Sequence, residues 1–219
     1  MVLSPDFIFH RYSLTMNSME KSRFFISDGL KIEALQESRS TRRGIVITHP
    51  HPLYGGDMYS PVVDTVRKVY RDRGYTTLRF NFRGTGKSGG KYDEGEGEQI
   101  DVFSAVEILR KDGVEEIDLA GYSFGAWVNA GAVASGLDVH QMVMISPPVA
   151  MIDFKDIGTL DHLRLVITGE HDDIAPPRQI KEMLAIWAPS SRLKVIGSAD
   201  HFYTGHLAEL AQGLFERCG

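Results

Sequence analysis

EIDLAGYSFGAWVNAGAVAS, residues 116–135, packs a buried strand, a tight turn and a helix start into twenty residues. Ile117, Leu119 and Ala120 form the short apolar run of a central parallel strand, and Ala126, Trp127, Ala130, Val133 and Ala134 then recur at helical spacing. Ser123 sits at the switch between the two. Gly121 and Gly125 lie two residues to either side, where a strand reversing into a helix brings backbone against backbone and leaves little space for a Cβ. A G-x-S-x-G in this context is a nucleophile elbow, and Ser123 is the expected nucleophile.

The bare pattern is a weaker signal than its setting. With 16 serines and 22 glycines in 219 residues, chance supplies about 0.16 matches per chain, and a serine ahead of a helix can be no more than its cap. A second match, Gly86-Lys87-Ser88-Gly89-Gly90, is followed by acidic, glycine-rich sequence instead of a helix, so context selects Ser123.

A chain of this length with 42% hydrophobic residues suits one core, and the division expected is an N-terminal extension over 1–20 before a single domain over 21–219. The formal net charge is −5 and the basic residues are scattered, so the pattern of a nucleic-acid binder is missing and a small-molecule partner is expected. The lone cysteine, Cys218, allows no internal disulfide. No apolar run approaches the roughly 18 residues of a membrane helix, and no secretory leader is recognisable. These features together predict a cytoplasmic location, no membrane partner, and a monomer or homodimer.

Taken in order, residues 24–27 and 30–36 read as a hairpin turned at Asp28-Gly29, hence an antiparallel edge. Residues 44–48 are a β-branched run suited to a strand buried on both faces. Strand patterns follow at 75–82, 117–120, 141–146, 163–168 and 193–196. Helical patterns lie at 61–70, 98–111, 177–187 and 205–215, and this alternation means a parallel sheet with helices on both faces. The acidic Gly/Glu segment 93–98 is the one tract of low complexity.

A serine hydroxyl is a weak nucleophile at neutral pH, so it needs a base within hydrogen-bond reach and a carboxylate to fix that base's tautomer. The loop after the strand at 163–168, Gly169-Glu-His-Asp172-Asp173, offers carboxylates at the edge where open α/β sheets place ligands, and Asp172 is the expected acid. After the last strand, Asp200-His201 places a histidine just ahead of the final helix; His201 is the expected base, and the rival His206 falls inside the predicted helix. Of two oxyanion donors, one is expected at Phe124 and the other after the 44–48 strand. Pro50 and Pro52 have no N–H, which leaves His51 or Leu53, with His51 favoured.

These residues resemble the α/β-hydrolase superfamily, in particular its small, capless bacterial members, which are related to dienelactone hydrolase-like and serine esterase proteins. The likeness runs from about residue 29 to the C-terminus. Besides GYSFG (121–125), GEHDDIAPP (169–177) and ADHFY (199–203), it includes NFRGTGKSG (81–89), HPHPLYGGDM (49–58) and DEGEGE (93–98). The resemblance implies the chain order Ser123, Asp172, His201, with the acid three residues past Gly169 and Ile174-Ala175-Pro176 soon after. It implies a mostly parallel twisted sheet with an antiparallel N-terminal edge and no cap domain, since only 16 residues separate Ser146 from Leu163. The activity implied is cleavage of a small carboxylic ester, thioester or lactone through an acyl-enzyme, without a cofactor; a small serine peptidase is the alternative. Two residues depart from the pattern: Pro50 follows His49 where many relatives have glycine, and the nucleophile is serine where dienelactone hydrolases use cysteine, so dienelactone chemistry is not implied.

Other motifs compete. Gly84-Thr-Gly86-Lys-Ser-Gly89 matches a dinucleotide fingerprint and ends like a P-loop, but Asn81 stands where a Walker A loop needs glycine and no helix opens at once to meet phosphates. His49-Pro-His51 with Asp57 has the look of a metal site, yet Leu53 and Tyr54 stand where a metallo-β-lactamase-like pattern needs acid and histidine. A non-enzymatic protein on the same fold is the third alternative.

Overall fold

The computed structural model describes residues 19–216. Among them, eight strands form one sheet: β1 (Lys21–Ser27), β2 (Leu30–Glu37), β3 (Arg43–Thr48), β4 (Thr76–Phe80), β5 (Glu116–Tyr122), β6 (Gln141–Ile145), β7 (Leu163–Gly169) and β8 (Arg192–Ile196). Five α-helices accompany it: α1 (Pro61–Asp72), α2 (Glu96–Lys111), α3 (Phe124–Ala134), α4 (Pro177–Trp187) and α5 (Leu207–Phe215). The strand order is β1-β2-β4-β3-β5-β6-β7-β8, and β2 alone runs against its neighbours. The hairpin turns where predicted, with Asp28 and Gly29 both at positive φ (46° and 76°), as a two-residue turn of matching twist requires.

Period-two alternation along the central strands makes two cores. Val46, Leu78, Leu119, Met144 and Val166 face α2, α3 and α4. Ile45, Ile47, Ala120, Ile145 and Ile167 face α1 and α5. Each of the larger side chains buried this way contributes roughly 1.5–3 kcal/mol. The chain leaves β3 through α1 on one face and β5 through α3 on the other, so the loops after these adjacent strands diverge. A crevice opens there, at the C-terminal ends of the strands.

Several predicted boundaries move for local reasons. The acidic segment 93–98 leads into α2: the Glu98 carboxylate accepts from the N–H groups of Asp93 and Gly95, both at 2.9 Å, and caps the helix, which starts at Glu96, two residues earlier than expected. The strand at 75–82 shortens to β4, although Asn81 N–H still donates to Glu33 O at 2.9 Å. Helix α5 begins at Leu207, so His206 is its N-cap residue and not an interior one.

No helix among the described residues is long and apolar enough to cross a membrane. Of the expected N-terminal extension, 1–18 lie outside the described residues, as does Cys218. Glu20 is within them, its carboxylate 2.6 Å from Arg79 Nη2. The connection from β6 to β7 holds neither helix nor strand, so no lid is inserted over the crevice.

Candidate active site

The sharp turn between β5 and α3 puts one residue, Ser123, in a backbone conformation that side chains rarely adopt (φ 53°, ψ −120°). Such a position costs about 1–3 kcal/mol and persists only when its surroundings enforce it. Here the enforcement is visible. Ser123 N–H donates to Ile145 O at 2.8 Å, and its carbonyl accepts from Ala126 N–H at 2.9 Å. A Cβ on Gly121 would stand 2.6 Å from the Ala126 backbone, and one on Gly125 would stand 2.6 Å from Thr48 Oγ1, so both flanking glycines are steric requirements.

His201 and Asp172 arrive from the loops after β8 and β7. Those loops are held against each other by His171 N–H on Ala199 O at 2.9 Å and Glu170 N–H on Ile196 O at 2.9 Å. Asp172 is buried and its Oδ1 accepts from the N–H groups of Ile174 (3.0 Å) and Ala175 (2.7 Å). His201 Nδ1 lies 2.9 and 3.0 Å from the two Asp172 oxygens, and His201 Nε2 lies 2.9 Å from Ser123 Oγ. The carboxylate holds the proton on Nδ1, which leaves the Nε2 lone pair facing the serine hydroxyl. Burial pushes the Asp172 carboxyl up; the bond to His201 and its charge, with Ser146 and the Ala175 N–H, outweigh it and hold the group below the ordinary carboxylate range. From behind, Tyr122 Oη donates to His201 O at 2.9 Å and fixes the histidine's backbone. The neighbouring Asp173 is exposed, and His206 pairs at 3.7 Å with Glu209, away from Ser123.

A cleft of about 710 Å³ opens over the serine. One wall carries His51, Tyr54, Tyr92, Phe124 and Trp127, and Met151, Ile152, Ile174 and Phe202 also line it. No family model matches this chain, but its similarity to solved structures is extensive. An α/β serine hydrolase homologue from Coxiella burnetii is 30% identical, with a TM-score of 0.84 over 95% of this chain and 100% of that one. The chain belongs to the α/β serine hydrolase family. A hydrolase of this family without a lid, from Xanthomonas campestris, superposes with a TM-score of 0.82 at 28% identity over 90% of this chain and 92% of its own. An uncharacterized protein of Rickettsia prowazekii is 33% identical over 179 residues, 77% of this chain and 75% of that protein.

In this α/β serine hydrolase the oxyanion expectation narrows. Pro52 opens a 3-10 turn over Pro52–Tyr54, and His51 caps it by accepting the Leu53 N–H on Nδ1 at 3.2 Å. Leu53 is therefore not a free donor; counting prolines could not foresee that cap. The N–H groups of His51 and Phe124 have no acceptor among the described residues, and both residues line the cleft beside Ser123.

The competing motifs are occupied by the hydrolase's own side chains. His49 is fully buried, with Nδ1 2.6 Å from Pro50 O and Nε2 accepting the Phe82 N–H at 3.0 Å, so both ring nitrogens are engaged. No group of three or more metal-ligating side chains occurs among the described residues. In the loop at 84–90, Glu33 Oε2 accepts from Lys87 N–H and Asn81 Nδ2, both at 2.9 Å, where a nucleotide's phosphate would have to sit. Ser88 is buried, donating to Asn81 O at 2.7 Å and accepting from Glu33 N–H at 2.9 Å. Sequence reasoning missed the cleft walls. Trp127 had a usable signal, standing four residues past Ser123 and so one turn along the same helix face, and so had Phe202, which directly follows His201; Met151 had none.

Proposed function

We propose that this hydrolase cleaves a carboxylic ester through an acyl-enzyme on Ser123, with His201 as base and Asp172 as its orienting acid. The observation that carries this reading is the unbroken chain of hydrogen bonds from Asp172 through His201 to Ser123 Oγ. Ser123 Oγ attacks the ester carbonyl while His201 Nε2 takes its proton, and the carbonyl oxygen becomes an oxyanion facing the N–H groups of Phe124 and His51. The C–O bond to the alcohol then breaks, and His201 returns the proton to the leaving oxygen. Water, deprotonated by the same nitrogen, attacks the acyl carbon; the C–O bond to Ser123 breaks, Ser123 recovers its proton, and the acid leaves. The steps balance with water as the only co-reactant, and a thioester or lactone passes through the same sequence.

The test is a fluorophosphonate probe followed by mapping of the modified peptide, together with p-nitrophenyl ester turnover. Labelling at Ser123, and loss of both labelling and turnover in a folded Ser123→Ala variant, are the expected results. Turnover surviving in Ser123→Ala, or labelling at Ser88, would overturn the assignment.

A further inference from the structure

We propose that the cleft selects uncharged esters whose acyl or alcohol part is an aromatic ring or a medium-length alkyl chain, and that Trp127 sets this preference. The inference rests on the esterase reading of the same cleft but concerns what the walls accept. Trp127 stands one helical turn beyond Ser123, and its ring is fixed from two sides. The Gly95 backbone lies against it with no space for a Cβ, and its Nε1 donates to Asp153 O at 3.1 Å. With that donor used, the indole offers a ligand apolar surface alone.

The surface continues inward. Trp127 and Phe124 have ring centroids 5.6 Å apart, Phe124 and His51 4.6 Å, and Phe124 and Tyr92 5.9 Å. Charge is sparse. Among the described residues no lysine or arginine lines the cleft, and Asp57 is its one carboxylate. Burial lowers the pKa of His51, which disfavours a charge on that ring. A substrate carboxylate or phosphate would lose water here and meet no cation, which disfavours it. Size points the same way: the cleft holds about 710 Å³, whereas a cavity of about 150 Å³ accommodates one benzene. An acetyl group would leave most of these walls uncovered.

The test separates binding from hydrolysis. The chain has two tryptophans, and Trp187 is fully buried in the core, so quenching of intrinsic fluorescence reports on Trp127. The Ser123→Ala protein is titrated with methyl 3-phenylpropanoate and with monomethyl adipate, whose free carboxylate carries a charge. The expected result is saturable quenching by the phenyl ester, with affinity about tenfold or more above that for the charged ester. Calorimetry on the same background should show affinity falling about tenfold in Trp127→Ala and by less than about threefold in Trp127→Phe, which keeps a ring but loses the bond to Asp153. Equal affinity for the two esters, undetectable binding of both, or undiminished affinity in Trp127→Ala would overturn the proposal. The charge comparison needs no Trp127 variant, so poor folding of one does not shield the idea. Should Ser123→Ala bind with this preference while the wild-type protein releases no acid, hydrolysis is refuted and the preference stands. Should the wild-type protein hydrolyse both esters with equal kcat/KM, the preference is refuted and hydrolysis stands.

Discussion

Acid should destabilise this fold well above the pH at which its carboxylates titrate, and His49 is the reason. Buried at the end of β3, it donates from Nδ1 to Pro50 O and accepts the Phe82 N–H on Nε2. A second proton must enter at Nε2 and expel that N–H. Burial lowers the pKa from 6.5 to about 4, with the Pro50 bond opposing and the neighbouring His51 adding to it. The folded value lies below the unfolded one, so between them the unfolded chain binds more protons. Stability therefore rises with pH through this window and is lost as pH falls from 6.5 towards 4. The full gap corresponds to about 3 kcal/mol, of which about 2 kcal/mol goes between pH 7 and pH 5. Urea melts of the wild-type protein and of His49→Gln at pH 7, 6 and 5 measure this, because the other histidines titrate in both proteins and cancel in the difference. The stability difference should shrink by about 2 kcal/mol over that range. Parallel pH dependences would refute the reasoning. Asp172, held below the carboxylate range, loses its contribution only at lower pH and does not enter the window.

The two adjacent carboxylates should separate in kinetics: Asp172→Asn lowers kcat on the order of 10⁴-fold because the His201 tautomer is no longer fixed, whereas Asp173→Asn, an exposed change, leaves kcat within about twofold. Side-by-side turnover of one ester checks the ranking, and the reverse order would move the acid to Asp173. Ser88→Ala should keep kcat but lose about 1–3 kcal/mol of stability in urea, since it leaves the buried Glu33 N–H and Asn81 carbonyl without their partner. Loss of kcat in a stably folded variant would bring Ser88 into the chemistry.

The parts of the site that were legible in the sequence are those where sterics leave little choice. Gly121 and Gly125 mark the elbow because the α3 backbone and Thr48 crowd them, and that crowding follows from the turn itself. Asp172 and His201 were legible by position, each in the loop after a recognisable strand. What stayed hidden depends on side chains finding one another across the fold. The Leu53 N–H is taken by an imidazole two residues back, Glu98 turns an apparently featureless acidic stretch into a helix cap, and Glu33 fills a glycine loop from a strand 48 residues earlier than Asn81. The cleft walls were hidden for a further reason. Tyr54, Met151 and Phe202 are exposed aromatic or flexible side chains in short turns, where hydrophobic periodicity carries no information.

The three residues of the proposed triad and much of the surface around them have different attachments. Ser123, Asp172 and His201 stand on turns tied down by backbone hydrogen bonds and close glycine contacts, so their mutual geometry is a property of the sheet. Tyr54 and Met151 project from connections that the sheet does not need for its own hydrogen bonding. Under selection the two can change separately: drift in those connections would alter which molecules are accepted while the chemistry stayed intact. The same division gives an engineer a practical border, with loop libraries at Tyr54 and Met151 on one side and a scaffold best left untouched on the other.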